Sequence, residues 1–377
     1  MPLSPDVRAL SPDTKARPRD PERLTRRRAS HAADIPGLVE RARGGDPRAV
    51  ARLVSLVEDG SPELRTIMRA IAPLAGRARV LGLTGAPGVG KSTTTSALVR
   101  AYRRRGQRVG VLAIDPSSPF TGGALLGDRV RMQDHATDRD VFIRSMATRG
   151  HLGGLASATP QALRVLDAAG FDVIMIETVG VGQAEVEVAS LADTTLVLVA
   201  PGMGDAIQAA KAGILEVGDV FVVNKADRDG AQTAVRDLRN MVALADTGEA
   251  AWKPPIVSTV APRDEGIDDL TAKLDKHAAW LDSSGEGVRR RRARAGAEVA
   301  AIALAELRAR LGALPGDARL GQLAAKVADG DLDPYSAADE LVASVSPAGA
   351  ATSAPDASLD ASLDAAPDAA SPPNMSA

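Results

Sequence analysis

Val80-Leu-Gly-Leu-Thr84-Gly85-Ala-Pro-Gly-Val-Gly-Lys91-Ser92-Thr93 is an apolar run that breaks into three glycines, then a lysine and a serine. Residues 93–105 continue with helix-compatible spacing. A strand, a glycine-rich loop and a helix in that order predict a phosphate-binding loop. Glycines 85, 88 and 90 let the backbone wrap phosphates with its N–H groups turned inward. The candidate phosphate contacts are Gly85, Ala86, Pro87, Gly88, Val89, Gly90, Lys91, Ser92 and Thr93. The helix N-terminus adds partial positive charge. Lys91 is placed to neutralise β- and γ-phosphate oxygens, and the Ser92 hydroxyl to ligate magnesium, which prefers hard oxygen donors.

Working outward, similar apolar, β-branched runs recur at 109–114, 141–143, 173–176, 195–199, 220–223 and 256–258. Most are separated by helix-length amphipathic stretches. Short apolar strands alternating with helices predict an α/β fold with a doubly wound, mostly parallel sheet. The nucleotide domain is placed at residues 76–280. Before it, residues 31–75 carry helical spacing: Leu38, Val39 and Ala42, then Ala49, Leu53, Leu56 and Val57, then Ile67, Met68 and Ile71. After a loop at 282–287, a long helix is expected from Val288 to about Leu311. A second is expected past Pro315, with Leu320, Leu323, Val327 and Leu332 at helical spacing. This appendage, 288–345, has an apolar face needing either the main domain or another subunit. Residues 1–30 are rich in Pro and Arg, and 346–377 in Ala, Pro, Ser and Asp; neither can bury a core, and both read as disordered tails.

Asn224-Lys225-Ala226-Asp227 directly follows the apolar run 220–223. A carboxylate at Asp227 can accept from both the ring N–H and the exocyclic amine of guanine, a donor pair that adenine lacks. Asn224 would brace the loop and the Lys225 stem would cover the base. Val260, Ala261 and Pro262, at the next strand end, are the candidate third base contact through a backbone N–H. Carboxylates at strand ends would complete the magnesium shell: Asp115, Asp128 and Glu177 join Ser92 as candidate ligands. Glu177 opens Thr178-Val-Gly-Val-Gly-Gln183, where Gly180 and Gly182 would let a loop follow the γ-phosphate and Gln183 could orient water.

The 377 residues carry a net charge of −2, giving no general electrostatic reason to expect nucleic acid. There are no cysteines, which excludes disulfides, thiolate metal sites and cysteine nucleophiles. No apolar run is long enough to span a bilayer, so no membrane partner is expected, and the cytoplasm is the expected compartment. The four histidines are too scattered for a metal site. The arginines at 289–292 and 294 are expected to form a solvated helix face, and Arg144 and Arg149 surface ion pairs rather than transition-state cations.

Taken together, these residues resemble the GTPases associated with cobalamin-dependent acyl-CoA mutases, the MeaB/ArgK/MMAA group. The matching stretches are 85–95, Ala113-Ile-Asp-Pro-Ser-Ser-Pro-Phe120, Gly127-Asp-Arg-Val-Arg-Met132, Phe142-Ile-Arg-Ser-Met-Ala-Thr-Arg-Gly-His-Leu-Gly-Gly154, 177–183 and 224–227. The resemblance covers residues 35–340 or so. It implies a P-loop GTPase domain with an N-terminal helical extension and a C-terminal helical dimerisation arm. It also implies a homodimer that gates adenosylcobalamin loading and protects its client, methylmalonyl-CoA mutase or a relative, with the adenosyltransferase as a further partner. By this likeness 115–131 and 177–183 are switch regions. A third covers 205–211, where Asp205, Gln208 and Lys211 respond to the mutase and Lys211 approaches the phosphates. Catalytic candidates are then Lys91, Glu177, Gln183 and Lys211. Ala184 and Ala206 depart from the group's usual serine and acid.

With no arginine finger evident in the sequence, intrinsic GTP hydrolysis is expected to be slow and partner-stimulated. The rival readings are an ATPase or kinase linked to amino-acid transport, which Asp227 opposes, and a non-catalytic mutase-binding scaffold. Nickel delivery is disfavoured by the missing cysteines.

Overall fold

The computed structural model describes residues 34–115, 135, 137–147, 158–178, 184–202, 217–244, 252–312 and 317–343. They form two compact units that divide after Gly296.

The first unit begins with α1 (Ile35–Arg43), α2 (Pro47–Glu58) and α3 (Leu64–Ile71). Asp34 and Asp46 cap the first two, accepting from the amides of Gly37 and Arg48, and each helix has proline in its first turn. Such caps satisfy amides that the helix leaves without partners, and proline loses nothing there. Next come β1 (Arg79–Thr84), α4 (Lys91–Arg104), β2 (Val109–Asp115), β3 (Val141–Ala147), α5 (Thr159–Ala168) and β4 (Val173–Thr178). The unit continues with α6 (Ala184–Leu191), β5 (Thr194–Val199), β6 (Val220–Asn224), α7 (Ala231–Leu244), β7 (Ile256–Thr259) and α8 (Ile267–Ser284). All seven predicted strands are present.

The strands form one sheet in the order β3-β2-β4-β1-β5-β6-β7, and every pairing is parallel. Their residues alternate between two buried layers. Val111, Val173 and Met175 share a core with Leu98 and Tyr102 of α4 and Leu270 and Leu274 of α8. Leu112, Ile114, Ile174 and Ile176 share the other with Leu38 and Val39 of α1, Leu53 and Val57 of α2, Ile67 and Ile71 of α3, and Leu166 of α5. Helices on both faces explain why the strands read as continuous apolar runs instead of alternating. The N-terminal helices are therefore part of this unit's core. Arg144 on edge strand β3 adds a polar tie, donating to Glu58 and Ser55 of α2, which is the ion pair expected of it.

Two expectations about the C-terminal helices are corrected. The loop at 282–287 shrinks to Gly285, with φ of 74°, between α8 and α9 (Glu286–Gly312). Past residue 316 there are two helices, α10 (Asp317–Ala328) and α11 (Pro334–Ala343), and Leu332 lies in the break between them. Gly330, with φ of 80°, ends the first. Asp333 caps the second by accepting from Tyr335 and Ser336 amides at 2.9 and 3.1 Å, with Pro334 at its first position. The Asp-Pro start signal outranks the helical spacing of one leucine.

The arginine run is also corrected. Arg290 pairs with Asp219 at 3.1 Å and with Glu286, while Arg291 and Arg294 both pair with Asp193. Arg294 also donates to the carbonyls of Leu191 and Ala192. Asp193 and Asp219 precede β5 and β6 and accept from the amides of Val80 and Thr195. The first turns of α9 are thus bound to the end of the sheet where β5 and β6 begin, while the Arg289 and Arg291 side chains keep 79% and 50% exposure.

Candidate nucleotide site

β1 runs directly into the loop and α4 begins at Lys91, as the sequence predicts. Two glycines are required by the packing. Gly85 has φ of 139°, and a Cβ there would sit 2.3 Å from the Leu198 carbonyl oxygen of β5. Gly90 has φ of 99°, and its Cβ would lie 2.3 Å from Asn224 Nδ2. Both close approaches involve the neighbouring strand ends, so the loop is moulded onto the end of the sheet where β1, β5 and β6 finish.

Asn224 is the hub of this arrangement. It is 1% exposed, which matters because each of its polar atoms must then find a protein partner. Its Nδ2 donates to the Val89 carbonyl at 2.8 Å, and its Oδ1 accepts from Thr259 Oγ1 at 3.1 Å and the Ala261 amide at 3.2 Å. One side chain therefore joins the phosphate loop to both candidate base loops, fulfilling the bracing role expected of it. Lys225 adds a second strap. Its backbone is left-handed, with φ of 58°, and its Nζ donates to the Gly88 carbonyl at 2.6 Å. Lys91 is buried, its Nζ within 2.5 Å of the Gly85 carbonyl and 3.1 Å of the Ala86 carbonyl.

Glu177 is the penultimate residue of β4, where it pairs with Leu83 of β1 and Ala113 of β2. It is buried, and Thr95 on the first turns of α4 donates to its Oε2. Thr95, one turn past Lys91, was not among the sequence candidates; the i,i+4 spacing is the signal that could have found it. Ser92 lies in the first turn of α4, and Asp115 is the last residue of β2. The structure thus brings Lys91, Ser92 and Glu177 around the start of one helix. Asp128, Arg149, Gln183, Asp205, Gln208 and Lys211 lie outside the described residues.

The base side is a built turn. The Ala226 amide donates to the Thr259 carbonyl, and the Val260 amide to the Glu265 carbonyl, each at 3.0 Å. Asp264 sits at φ of 57° and is held there by Arg100 of α4, which grips both of its carboxylate oxygens. Hydrogen bonding from Arg100, outweighing partial burial and aided by the charges of Arg100 and Arg104, holds the Asp264 carboxyl below the usual carboxylate range. Asp227 is partly exposed, with its Oδ2 3.4 Å from Nη1 of Arg263. Val260, Ala261 and Pro262 lie on this turn, but the Ala261 amide already donates to Asn224 and proline has no N–H.

A strand-loop-helix cradle with a buried lysine, beside a carboxylate on the Asn-Lys-Ala-Asp loop, defines a P-loop nucleotide-binding protein. The profile of the family described as "Methylmalonyl Co-A mutase-associated GTPase MeaB" matches residues 50–315. The chain is 48% identical over 310 residues to a GTPase-named protein of Pyrococcus abyssi, covering 82% of this chain and 96% of that one. It is 38% identical over 261 residues to "GTPase ArgK" of Escherichia coli, covering 67% and 78%. Among solved structures, the "LAO/AO transport system kinase" is similar with a TM-score of 0.63 and 28% identity, over 84% of this chain and 98% of that chain. The chain belongs to the MeaB family of P-loop GTPases, and guanine nucleotide is its ligand class.

Proposed function

We propose that this GTPase is a slow, magnesium-dependent switch serving a cobalamin-dependent acyl-CoA mutase, most directly methylmalonyl-CoA mutase. In this reading it gates adenosylcobalamin loading and protects the loaded mutase, with the adenosyltransferase as a further partner. The observation that supports this reading most is the Asn224 hub, which ties the phosphate loop to the turn proposed to meet the base. The family's description supports the client.

Lys91 and the loop amides would stabilise charge gathering on the γ-phosphoryl oxygens as water attacks in line. Asp227 would select guanine, since adenine would leave that carboxylate without its donor pair. The donor set fits a hard cation: Ser92 lies in the first turn of α4 and the Glu177 carboxylate is buried beside that helix. Ser92, Glu177, Asp115 and Asp128 are the residues that would hold magnesium or its waters, and the ion would supply Lewis-acid charge neutralisation. Among the described residues, Arg100 of α4 is engaged with Asp264, Arg103 with Asp138 and Asp140, and Arg144 of β3 with Glu58. This supports slow turnover until a partner contributes.

The similarity to a transport-system kinase favours a second reading, in which ATP is the substrate and amino-acid transport the setting. Competition between GTP and ATP separates the two; tighter ATP binding would support the kinase. The test of the client is co-purification of the native partner, then mutase assays with GTP, GDP and a non-hydrolysable analogue. Protection and cofactor loading should depend on which nucleotide is present. A mutase indifferent to all three would remove the proposal.

A further inference from the structure

Arg263 lies on the base-side turn, outside the phosphate loop, and its side chain is held at two carboxylates. It leaves the short helical turn Ala261–Arg263 and reaches Asp227 with Nη1 at 3.4 Å, while its Nε donates to Glu265 Oε1 at 2.7 Å. Its backbone is equally fixed: the Arg263 amide donates to the Val260 carbonyl at 2.9 Å, and the next residue is the left-handed Asp264 clamped by Arg100. Gly266 closes the turn with φ of 76°, where a Cβ would sit 2.2 Å from the Ser258 carbonyl oxygen. The guanidinium is therefore presented from a rigid support toward one carboxylate oxygen, and Glu265 holds it from the other side.

We propose that Arg263 is a positioning residue for guanine specificity, orienting the Asp227 carboxylate so that both of its oxygens meet the purine edge. The inference rests on Asp227 being the base-reading group. An exposed carboxylate rotates freely about its terminal torsion, and two-point recognition needs one orientation. A guanidinium on one oxygen sets the carboxylate plane and leaves that oxygen a further lone pair for the ligand. Glu265 matters because it keeps Arg263 from following the base or folding back over it. Arg263 acts through Asp227 and touches no reacting atom.

The chemistry predicts a particular signature. Inosine diphosphate keeps the ring N–H of guanine and lacks the exocyclic amine, so the ratio of GDP to IDP affinity reads two-point recognition directly. Calorimetry on the full-length Arg263→Ala chain should show this ratio falling by about two- to fivefold, the range open to a solvent-exposed ion pair. Arg263→Lys should recover part of it, because a point charge attracts the carboxylate without fixing its plane. A general loosening of the turn would weaken GDP and IDP alike, leave the ratio unchanged and overturn the proposal. A rise in GDP affinity would also overturn it, since Arg263 would then be competing with guanine. In an Asp227→Asn background, Arg263→Ala should leave the GDP-to-IDP ratio where Asp227→Asn alone sets it; a further change of the same size would show action independent of Asp227. Should Asp227→Asn itself leave purine preference untouched, the base reading fails, an outcome distinct from a failure of Arg263 alone.

Discussion

Single residues decide what this site can hold. Asn224 satisfies a carbonyl from the phosphate loop and an amide from the base turn, so its truncation strands buried polar groups on both sides. Asn224→Ala should lower the unfolding free energy by on the order of 1–3 kcal/mol. It should weaken guanosine and inosine diphosphates together, in contrast to the selective effect expected at Arg263; denaturant unfolding and calorimetry on one preparation check both. Lys91 stands differently, because its ammonium matters most as charge gathers on the transferring group. Lys91→Ala should cut single-turnover GTP hydrolysis by about 100-fold or more. A change confined to nucleotide affinity would contradict that role.

At the scale of elements, the clearest stability device is the docking of the first turns of α9 on Asp193 and Asp219. Burial alone would raise the Asp193 carboxyl, but the charge and hydrogen bond of Arg294, then Arg291 and the Val80 amide, more than offset it. The net pKa lies below the ordinary carboxylate value. A depressed folded-state pKa contributes stability that is present above the unfolded value, about 3.9, and is lost as pH falls through the lower folded value. Arg294→Ala should therefore cost about 1.5–3 kcal/mol near pH 7, with the gap to the wild type closing below about pH 4. Urea unfolding across that range measures it.

The strands were legible because each is short and rich in apolar and β-branched residues, with helix-length stretches between most of them. The arginine run was misread because a row of like charges on a helix gives no sign of its partners. Asp193 and Asp219 lie about 70 to 100 residues away in sequence and meet α9 only through the topology of the sheet. The bracing by Asn224 was legible from its place at a strand end, whereas the contact of Arg263 with Asp227 was not, since it depends on a turn closed by Asp264 and Gly266.

At the scale of the whole molecule, every candidate nucleotide-site residue among the described residues lies in the first, α/β unit. The second unit exposes Val299, Ile302, Leu304 and Leu307 on α9, and Leu320 on α10. If the arm joins two copies, as the family resemblance implies, Ile302→Glu with Leu304→Glu should convert a dimer to a monomer in light scattering and leave GDP affinity unchanged. A dimer that survives both changes would place the interface elsewhere.

The central claim is that Asp227 selects the purine while Lys91 holds the phosphates, and calorimetry of Asp227→Asn tests it most directly. An amide at that position can still accept from the ring N–H but donates where the carboxylate accepted, which suits the 2-oxo group of xanthine. GDP affinity should fall by at least about 100-fold while xanthosine diphosphate gains. Retention of the wild-type preference for GDP would contradict the account.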